Sequence, residues 1–181
     1  MSGREEIYYK KSIITFDIET TSYVDEVKLE NGKQKQIKHA FMYIGAIYNN
    51  GVISKYRKWE DFISYFDSLS SLCSKNERYI IWVHNLSFEF QFMKDWIKFS
   101  DVFARKSHNV IKCVYKKIEF RDTLALSNCK LEKLAINEKL PVQKAVGDLD
   151  YSLIRHQSSQ LDSVEENYVD LDVIIVAEYI K

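Results

Sequence analysis

The feature that most restricts the fold is Tyr79–Val83, a short run that consists only of apolar residues. A run of this kind predicts a strand buried at the centre of a sheet. Apolar residues recur at helical spacing before it, over Glu60–Leu72, and a second helix is expected over Phe88–Phe99 with Ser87 as its N-cap. This succession of strands and helices predicts an α/β fold, a mixed β-sheet flanked by helices.

Alternating apolar residues indicate further strands on both sides of this run. The first strand is expected over Ser12–Ile18. Four more strands are expected at Ala40–Tyr48, Val52–Arg57, Val110–Tyr115 and Ile118–Asp122. The polar segment Tyr23–Lys38 carries charges of both signs and predicts a solvated loop or hairpin, with a DNA-facing loop as the alternative.

Two helices are predicted in the second half of the chain, at Lys130–Glu138 and at Ser163–Ile180. The longer one opens with Ser163 followed by Glu166, a spacing that is typical of a capping box. The 181 residues suffice for one domain, and the 46% that are hydrophobic exclude a disordered chain. Since no apolar run reaches the ~20 residues that cross a bilayer, we expect a soluble cytoplasmic protein that contacts no membrane.

Charge and cysteine content narrow the functional classes. The 26 basic and 26 acidic residues give a formal net charge of zero, which argues against tight non-specific binding to nucleic acid phosphates. The three cysteines, Cys73, Cys113 and Cys129, form no pair with the spacing of zinc ligands, so we expect reduced, buried thiols. This composition still permits a carboxylate site that binds metal and a few nucleotides.

Asp17 and Glu19 lie two residues apart at the end of the first predicted strand, so their side chains project from the same face. Two like charges side by side on an otherwise apolar strand are costly unless a cation joins them. Mg²⁺ or Mn²⁺ is the natural partner of such carboxylate oxygens. The alternative is an exposed acidic strand end that binds nothing.

Two further groups of polar residues lie next to buried elements. His84 and Asn85 follow the central strand, at the sheet edge where α/β folds place ligands, and Glu89 comes early in the next helix. On the last helix, Tyr168 and Asp172 are four residues apart and share a face. Asp172 precedes a run of apolar residues, where an unpaired carboxylate is expensive, so it either has a partner or is partly exposed.

Three segments, Phe16–Thr21, His84–Glu89 and Tyr168–Asp172, resemble in this order the three exonuclease motifs of family B DNA polymerases. The overall pattern is most similar to the protein-primed polymerases of bacteriophages and linear plasmids, and this resemblance implies a ribonuclease H-like exonuclease fold. Arg121–Leu124 and Lys144–Tyr151 resemble segments that these enzymes carry between the second and third motifs.

The chain departs from the family pattern at two positions. Glu89 stands where the second motif usually has Asp, although its longer side chain can still reach a metal. Ser127 stands where an apolar residue usually closes the element that begins at Thr123. The first departure affects the geometry of the expected metal site, and the second affects the expected DNA contacts.

The resemblance implies hydrolysis of a phosphodiester at a 3′ end with two divalent metal ions, Mg²⁺ or Mn²⁺. The implied metal ligands are Asp17, Glu19, Glu89 and Asp172. Tyr168 would orient the attacking water, as in the tyrosine subclass of DEDD exonucleases, and Lys144 would approach the scissile phosphate. The residues expected to line the bound single strand are Thr20, His84, Asn85, Phe88, Thr123, Leu124 and Tyr151.

The resemblance further implies that residues 1–181 are a single 3′–5′ exonuclease domain, the proofreading domain of a protein-primed DNA polymerase without its polymerase portion. The expected partners are the 3′ end of single-stranded or frayed DNA, the polymerase portion and a terminal protein primer. We expect a monomer, in the host bacterial cytoplasm if the source is a phage. Two alternatives stay open: a domain of this fold that binds single-stranded DNA without cleaving it, and a freestanding exonuclease that acts on RNA or short oligonucleotides.

Overall fold

The computed structural model describes residues 6–106, 108–144 and 149–181, within which the chain forms eight strands and five helices. The strands are β1 (Tyr8–Tyr9), β2 (Ile14–Lys28), β3 (Gln34–Asn49), β4 (Val52–Tyr56), β5 (Glu77–Val83), β6 (Asp101–Ala104), β7 (Val110–Tyr115) and β8 (Ile118–Asp122). The helices are α1 (Trp59–Ser71), α2 (Leu86–Met93), α3 (Leu124–Ser127), α4 (Leu131–Asn137) and α5 (Ser163–Ile180).

The strands form one mixed sheet in the order β4-β3-β2-β5-β8-β7-β6, and β1 pairs with the start of β5. Strand β5 runs parallel to β1, β2 and β8, whereas the pairs β2-β3, β3-β4, β6-β7 and β7-β8 are antiparallel. The apolar run Tyr79–Val83 therefore lies in a central strand, as its composition predicts. The predicted α/β architecture is confirmed.

One face of the sheet is covered by α1 and α2. Ile14, Phe16 and Ile18 alternate along β2 and point to this face. The ring of Phe16 contacts that of Phe62 on α1, with 5.2 Å between their centroids. Gly45 on β3 permits this close packing, because a Cβ atom there would lie only 2.8 Å from the Phe62 ring. Burial of these apolar side chains is the main favourable contribution to the packing of helix on sheet.

The opposite face is covered by α5, with α4 beside it. Val169 and Val173 of α5 pack against Tyr43 on β3. The Thr15 hydroxyl donates a 2.7 Å hydrogen bond to the carbonyl oxygen of Val173, which joins β2 to the helix in the buried layer. Because Asp17 lies two residues after Thr15 on the same strand, its side chain also faces α5.

The polar segment predicted as a loop or hairpin is a hairpin. Strands β2 and β3 stay paired far beyond Ile18, where the first strand was expected to end, and the turn lies between Lys28 and Gln34. The predicted strand is too short because both faces of the outer hairpin meet solvent, where apolar alternation is not required. Contact of this hairpin with DNA stays a prediction.

Helix α2 is shorter than predicted and begins earlier. It spans Leu86–Met93 rather than Phe88–Phe99, and its N-cap is Asn85 rather than Ser87. Asn85 has a φ of 71°, in the left-handed region that Asn adopts more readily than most residues. The predicted helix is too long because apolar residues continue past Met93 in a turn that is no longer helical.

Helix α5 begins with a capping box one residue before the predicted one. The Asp162 carboxylate accepts the backbone N–H of Glu165, and the Glu165 side chain accepts that of Asp162. The predicted pair of Ser163 and Glu166 is therefore wrong by one position, since Ser and Asp are comparable caps. Three elements, β1, β6 and α3, were not predicted, because their two to four residues are too few to show a periodicity.

The cysteines are free thiols, and two of them are buried as predicted. Cys73 and Cys113 are buried, whereas Cys129 is only half-buried. Among the helices of the described ranges, none combines the length and the apolar character needed to cross a bilayer.

Candidate metal centre

Three carboxylates from distant parts of the chain meet at one edge of the sheet. Asp17 and Glu19 lie on β2, and Asp172 lies on α5, which packs across that strand. One carboxylate oxygen from each residue lies within 4.8 Å of the other two. The structure thus brings together three of the four side chains that were predicted as metal ligands.

The fourth predicted ligand, Glu89, lies in the first turn of α2 and is not part of this group of three. Its side chain is nevertheless buried, with 2% of the residue exposed. Oε2 of Glu89 and Oδ1 of Asp172 are buried and have no hydrogen-bond partner among the described residues. Buried carboxylate oxygens without a donor are costly, and a bound cation removes that cost.

Burial and the charges of neighbouring carboxylates raise the pKa values of these acids. Burial raises the pKa of Asp17 well above its ordinary value, and the charges of Asp172 and Glu89 raise it further. Burial, followed by the charge of Asp172, raises the pKa of Glu19 to about 7. Full ionisation of the group is therefore unfavourable without a cation. A donor set made only of carboxylate oxygens fits a hard divalent cation such as Mg²⁺ or Mn²⁺.

Lys144 supplies a positive charge at the rim of the carboxylate group. Its Nζ lies 2.5 Å from Oδ2 of Asp172 and 5.0 Å from the centroid of the Tyr168 ring. Burial alone would lower the pKa of Lys144, but the Asp172 carboxylate raises it above the ordinary value, so the ammonium group stays charged. Lys144 is thus the partner that the sequence pattern required for Asp172.

Tyr168 lies one helical turn before Asp172, and its side chain is buried. Its hydroxyl lies 2.8 Å from the hydroxyl of Tyr151, an exposed residue that precedes α5. Burial, followed by this hydrogen bond, raises the pKa of Tyr168 above its ordinary value. The protonated hydroxyl can therefore orient a water molecule, whereas it is a poor base.

An open cleft of about 230 Å³ gives access to the carboxylates. Its lining residues are Asp17, His84, Asn85, Leu124, Lys130, Leu131, Lys144 and Asp172. Lys130 was missed by the sequence reasoning, because a single lysine before a helix carries no recognisable pattern. Two lysines beside a group of carboxylates suit a phosphate that is held next to metal ions.

The residues predicted to line a bound strand differ in their exposure and in whether they line the cleft. Asn85 and Leu124 line it directly, and Phe88 and Tyr151 are exposed. Thr20 is half-buried on β2, directly after Glu19. The predicted contacts of these residues with a bound strand stay predictions.

His84 and Thr123 form a pair at the wall of the cleft. Oγ1 of Thr123 lies 3.0 Å from Nδ1 of His84, and it also donates to the carbonyl oxygen of Val83. Burial lowers the pKa of His84, whose Nε2 has no partner among the described residues. Thr123 is fully buried, so it orients His84, and its predicted contact with DNA stays a prediction.

Asp122 is an organising residue that sequence reasoning missed. Its carboxylate accepts the backbone N–H groups of Asn85 at 2.9 Å, Leu86 at 3.2 Å, Leu124 at 3.0 Å and Ala125 at 3.2 Å. The two chain segments that carry Asn85 and Leu124 are therefore joined by one buried side chain. The available signal was its position, an acid at the carboxyl end of a strand that directly precedes a turn.

Comparison with known families assigns the chain. The sequence model of the family "DNA polymerase type B, organellar and viral" matches residues 70–180, more than half of the chain. The chain belongs to this family. The matched part of this type B polymerase chain runs from the end of α1 through α5 and includes Glu89, Tyr168 and Asp172. No curated protein sequence matches the chain.

Solved structures of phi29 DNA polymerase share the fold of this type B polymerase chain. The post-translocation complex with primer-template DNA has a TM-score of 0.72 at 16% identity, over 93% of this chain and 30% of that chain. The complex with single-stranded DNA has a TM-score of 0.64 at 15% identity, over 91% of this chain and 30% of that chain. The chain thus spans about 30% of the length of these structures, and the likeness confirms the predicted fold class.

Proposed function

We propose that this type B polymerase chain is a metal-dependent 3′–5′ exonuclease domain that shortens single-stranded or frayed DNA. The observation that carries the proposal is the meeting of Asp17, Glu19 and Asp172, with raised pKa values, beside an open cleft that Asp17 and Asp172 line. We further propose that residues 1–181 form one proofreading domain of a protein-primed polymerase. Its polymerase portion and a terminal protein are then its partners, and the host cytoplasm is its location.

In this proposal Asp17, Glu19 and Asp172 hold two divalent ions, with Glu89 contributing directly or through a water. The chemistry that the bound ions supply is activation of a water and stabilisation of the leaving 3′ oxygen. The buried, partnerless oxygens of Asp172 and Glu89 support this assignment, because they are paired with no donor among the described residues. Either Mg²⁺ or Mn²⁺ suits these ligands.

Tyr168 and Lys144 act on the reacting groups in this proposal. The Tyr168 hydroxyl, held by Tyr151 at 2.8 Å, orients the attacking water. The Lys144 ammonium group lies beside Asp172 and neutralises charge that develops on the phosphate. The buried phenol stays protonated and the lysine stays charged at neutral pH, as these roles require.

We propose DNA as the substrate on the basis of the family and of the fold. The family is one of DNA polymerases, and the solved structures of this fold include phi29 DNA polymerase with single-stranded DNA. In this proposal the exposed ring of Phe88 and the side chain of Leu124, which lines the cleft, contact the terminal bases. In this proposal Asn85, which lines the cleft, and Thr20, which follows Glu19 on β2, form hydrogen bonds to the terminal nucleotide.

The test is digestion of a 5′-labelled single strand with Mg²⁺, with Mn²⁺ and with EDTA. The chain and the variant Asp170→Asn should give a ladder of shorter products that EDTA abolishes, whereas Asp17→Asn and Asp172→Asn should give none. Asp170 is the matched control, because it lies on the same helix and pairs with Lys55 at 3.2 Å, away from the group.

Three results would contradict the proposed function. An intact strand that is retarded in a native gel would indicate a domain that binds single-stranded DNA without cleaving it. Faster digestion of an RNA strand of the same sequence would indicate a freestanding ribonuclease of this fold. Equal ladders from Asp17→Asn and the unchanged chain would place the metal elsewhere.

A further inference from the structure

A second hollow, the aromatic groove, lies beside the carboxylate cleft. It has a volume of about 430 Å³, and its principal lining residues are Tyr9, Trp82, Phe103, Arg121 and Leu126. The short helix α3 separates the two hollows, because Leu124 lines the cleft and Leu126 lines the groove. Trp82 is the register partner of Thr15, so the groove lies on the α5 face of the sheet, as does the carboxylate group.

The floor of the aromatic groove is a buried carboxylate that holds the surrounding side chains in place. Glu119 forms ion pairs with Arg78 at 3.3 Å and with Arg121 at 2.7 Å, and it accepts a 3.1 Å hydrogen bond from the Tyr9 hydroxyl. The guanidinium of Arg121 in turn lies 4.7 Å from the Tyr9 ring centroid and 5.7 Å from that of Trp82. The rings and the guanidinium therefore form a surface that is ordered before any ligand binds.

The charge of the groove favours an anionic partner. Arg105, Lys112 and Arg121 line it, against two acidic residues, and Lys112 is paired with Asp101 at 3.2 Å. Both acids are already engaged: Glu119 by its ion pairs, and Asp122 by four backbone N–H groups. Aromatic rings next to arginine are the combination that binds single-stranded nucleic acid without regard to base sequence.

We propose that the aromatic groove binds single-stranded DNA upstream of the 3′ terminus that lies in the cleft. Bases stack on Trp82 and Phe103, and the phosphates face Arg105 and Arg121. Helix α3 is about 6 Å long, so a strand that leaves the cleft over Leu124 reaches the groove within about two stacked nucleotides. This proposal rests on the proposed function, because it takes the cleft as the place of the 3′ end.

The test is the affinity for 5′-fluorescein-labelled strands of four and of twelve nucleotides, measured by anisotropy in EDTA so that no cleavage occurs. Phe103→Ala should weaken binding of the longer strand by at least about fivefold, the lower limit of a lost base stack. Binding of the shorter strand, which only fills the cleft, should not change. Arg105→Ala should weaken binding of the longer strand and reduce its dependence on salt concentration.

Two control variants are matched to Phe103, which is 55% exposed. Val102→Ala changes the neighbouring residue on β6, which is 45% exposed and points to the opposite side of the strand. Trp96→Ala removes an aromatic side chain that is 51% exposed but lies outside the groove. Both controls should bind the longer strand as the unchanged chain does.

Several results would overturn the proposal. One is equal affinity of the unchanged chain for the two strands, and another is unchanged binding of the longer strand by both Phe103→Ala and Arg105→Ala. If Trp96→Ala loses as much affinity for the longer strand as Phe103→Ala does, the upstream strand does not bind in the aromatic groove. Because these measurements need no catalysis, digestion of the same strands in Mg²⁺ tests the proposed function separately. If Phe103→Ala unfolds, Arg105→Ala still tests the proposal, because the side chain of Arg105 is exposed.

Discussion

Nζ of Lys144 lies 2.5 Å from Oδ2 of Asp172, so one ammonium group neutralises part of the charge of three crowded carboxylates. Oδ1 of the same aspartate has no hydrogen-bond partner among the described residues, which leaves it available to a metal ion. Lys144 and a bound metal ion therefore both offset the repulsion among the carboxylates, so the effect of removing one should depend on whether the other is present.

Lys144→Met should lower the melting temperature in EDTA, because the carboxylates then repel one another without compensation. Adding Mg²⁺ should reduce the difference from the unchanged chain. The control is Lys130→Met, which removes a lysine from the same cleft that makes no ion pair with Asp172. Equal losses in the two variants, or a loss that Mg²⁺ does not reduce, would show that Lys144 stabilises the fold by packing alone.

Glu19→Gln should stabilise the protein in EDTA at pH 8 more than at pH 5. The pKa of Glu19 is raised from 4.5 to about 7 on folding, so its ionisation costs stability as the pH rises through this range. Removal of the charge should raise the melting temperature at pH 8 by at least ~2 °C. Glu26→Gln, on the exposed outer part of β2, is the control and should leave the melting temperature unchanged. An equal gain in melting temperature at both pH values would contradict the raised pKa of Glu19.

Tyr168→Phe should slow cleavage by about 10–100-fold while the protein stays folded, because the variant loses one orienting hydrogen bond and keeps the carboxylates. Tyr151→Phe should have a smaller effect of the same kind, since it removes the partner of the Tyr168 hydroxyl. Initial rates at saturating Mg²⁺ measure both effects, and Tyr115→Phe, whose hydroxyl bonds to Asp67 far from the cleft, is the control. Full activity of Tyr168→Phe would show that the Tyr168 hydroxyl does not take part in cleavage and that the side chain only packs.

Single strands and mismatched 3′ ends should be shortened at least ~10-fold faster than matched duplex ends, a difference of ~1.4 kcal/mol in activation free energy. In the proposed function the open cleft binds one strand, so a paired terminus must first unpair at a cost of a few kcal/mol. Initial rates on three substrates that share one strand sequence measure the preference. Equal rates would mean that the chain separates strands by itself.

Asp122→Ala should lower the free energy of unfolding by about 2–4 kcal/mol, since four backbone N–H groups lose a charged acceptor. Asp122→Asn keeps one acceptor oxygen and should lose less. Urea denaturation measures both, and Asp95→Ala at an exposed position is the control. A loss in Asp122→Ala no larger than in Asp95→Ala would contradict the role of Asp122 in joining the two segments.

Local periodicity accounts for what the sequence by itself determined. A strand with one buried face repeats every two residues, which placed Ile14, Phe16 and Ile18 in the core and put Asp17 and Glu19 together on the other face. A helix repeats every 3.6 residues, which placed Tyr168 one turn before Asp172 on α5. The order of the motifs then indicated the polymerase family, which the family match confirms.

The tertiary structure decided contacts between distant groups that the motifs did not indicate. Three features join segments that are far apart in the chain. They are the ion pair of Lys144 with Asp172, the four backbone N–H groups that donate to Asp122, and the aromatic groove. Such contacts depend on how α5 packs across β2 and on the path of each connecting segment. Neither leaves a repeat in the sequence, because a single long-range contact imposes no periodicity on the residues that make it.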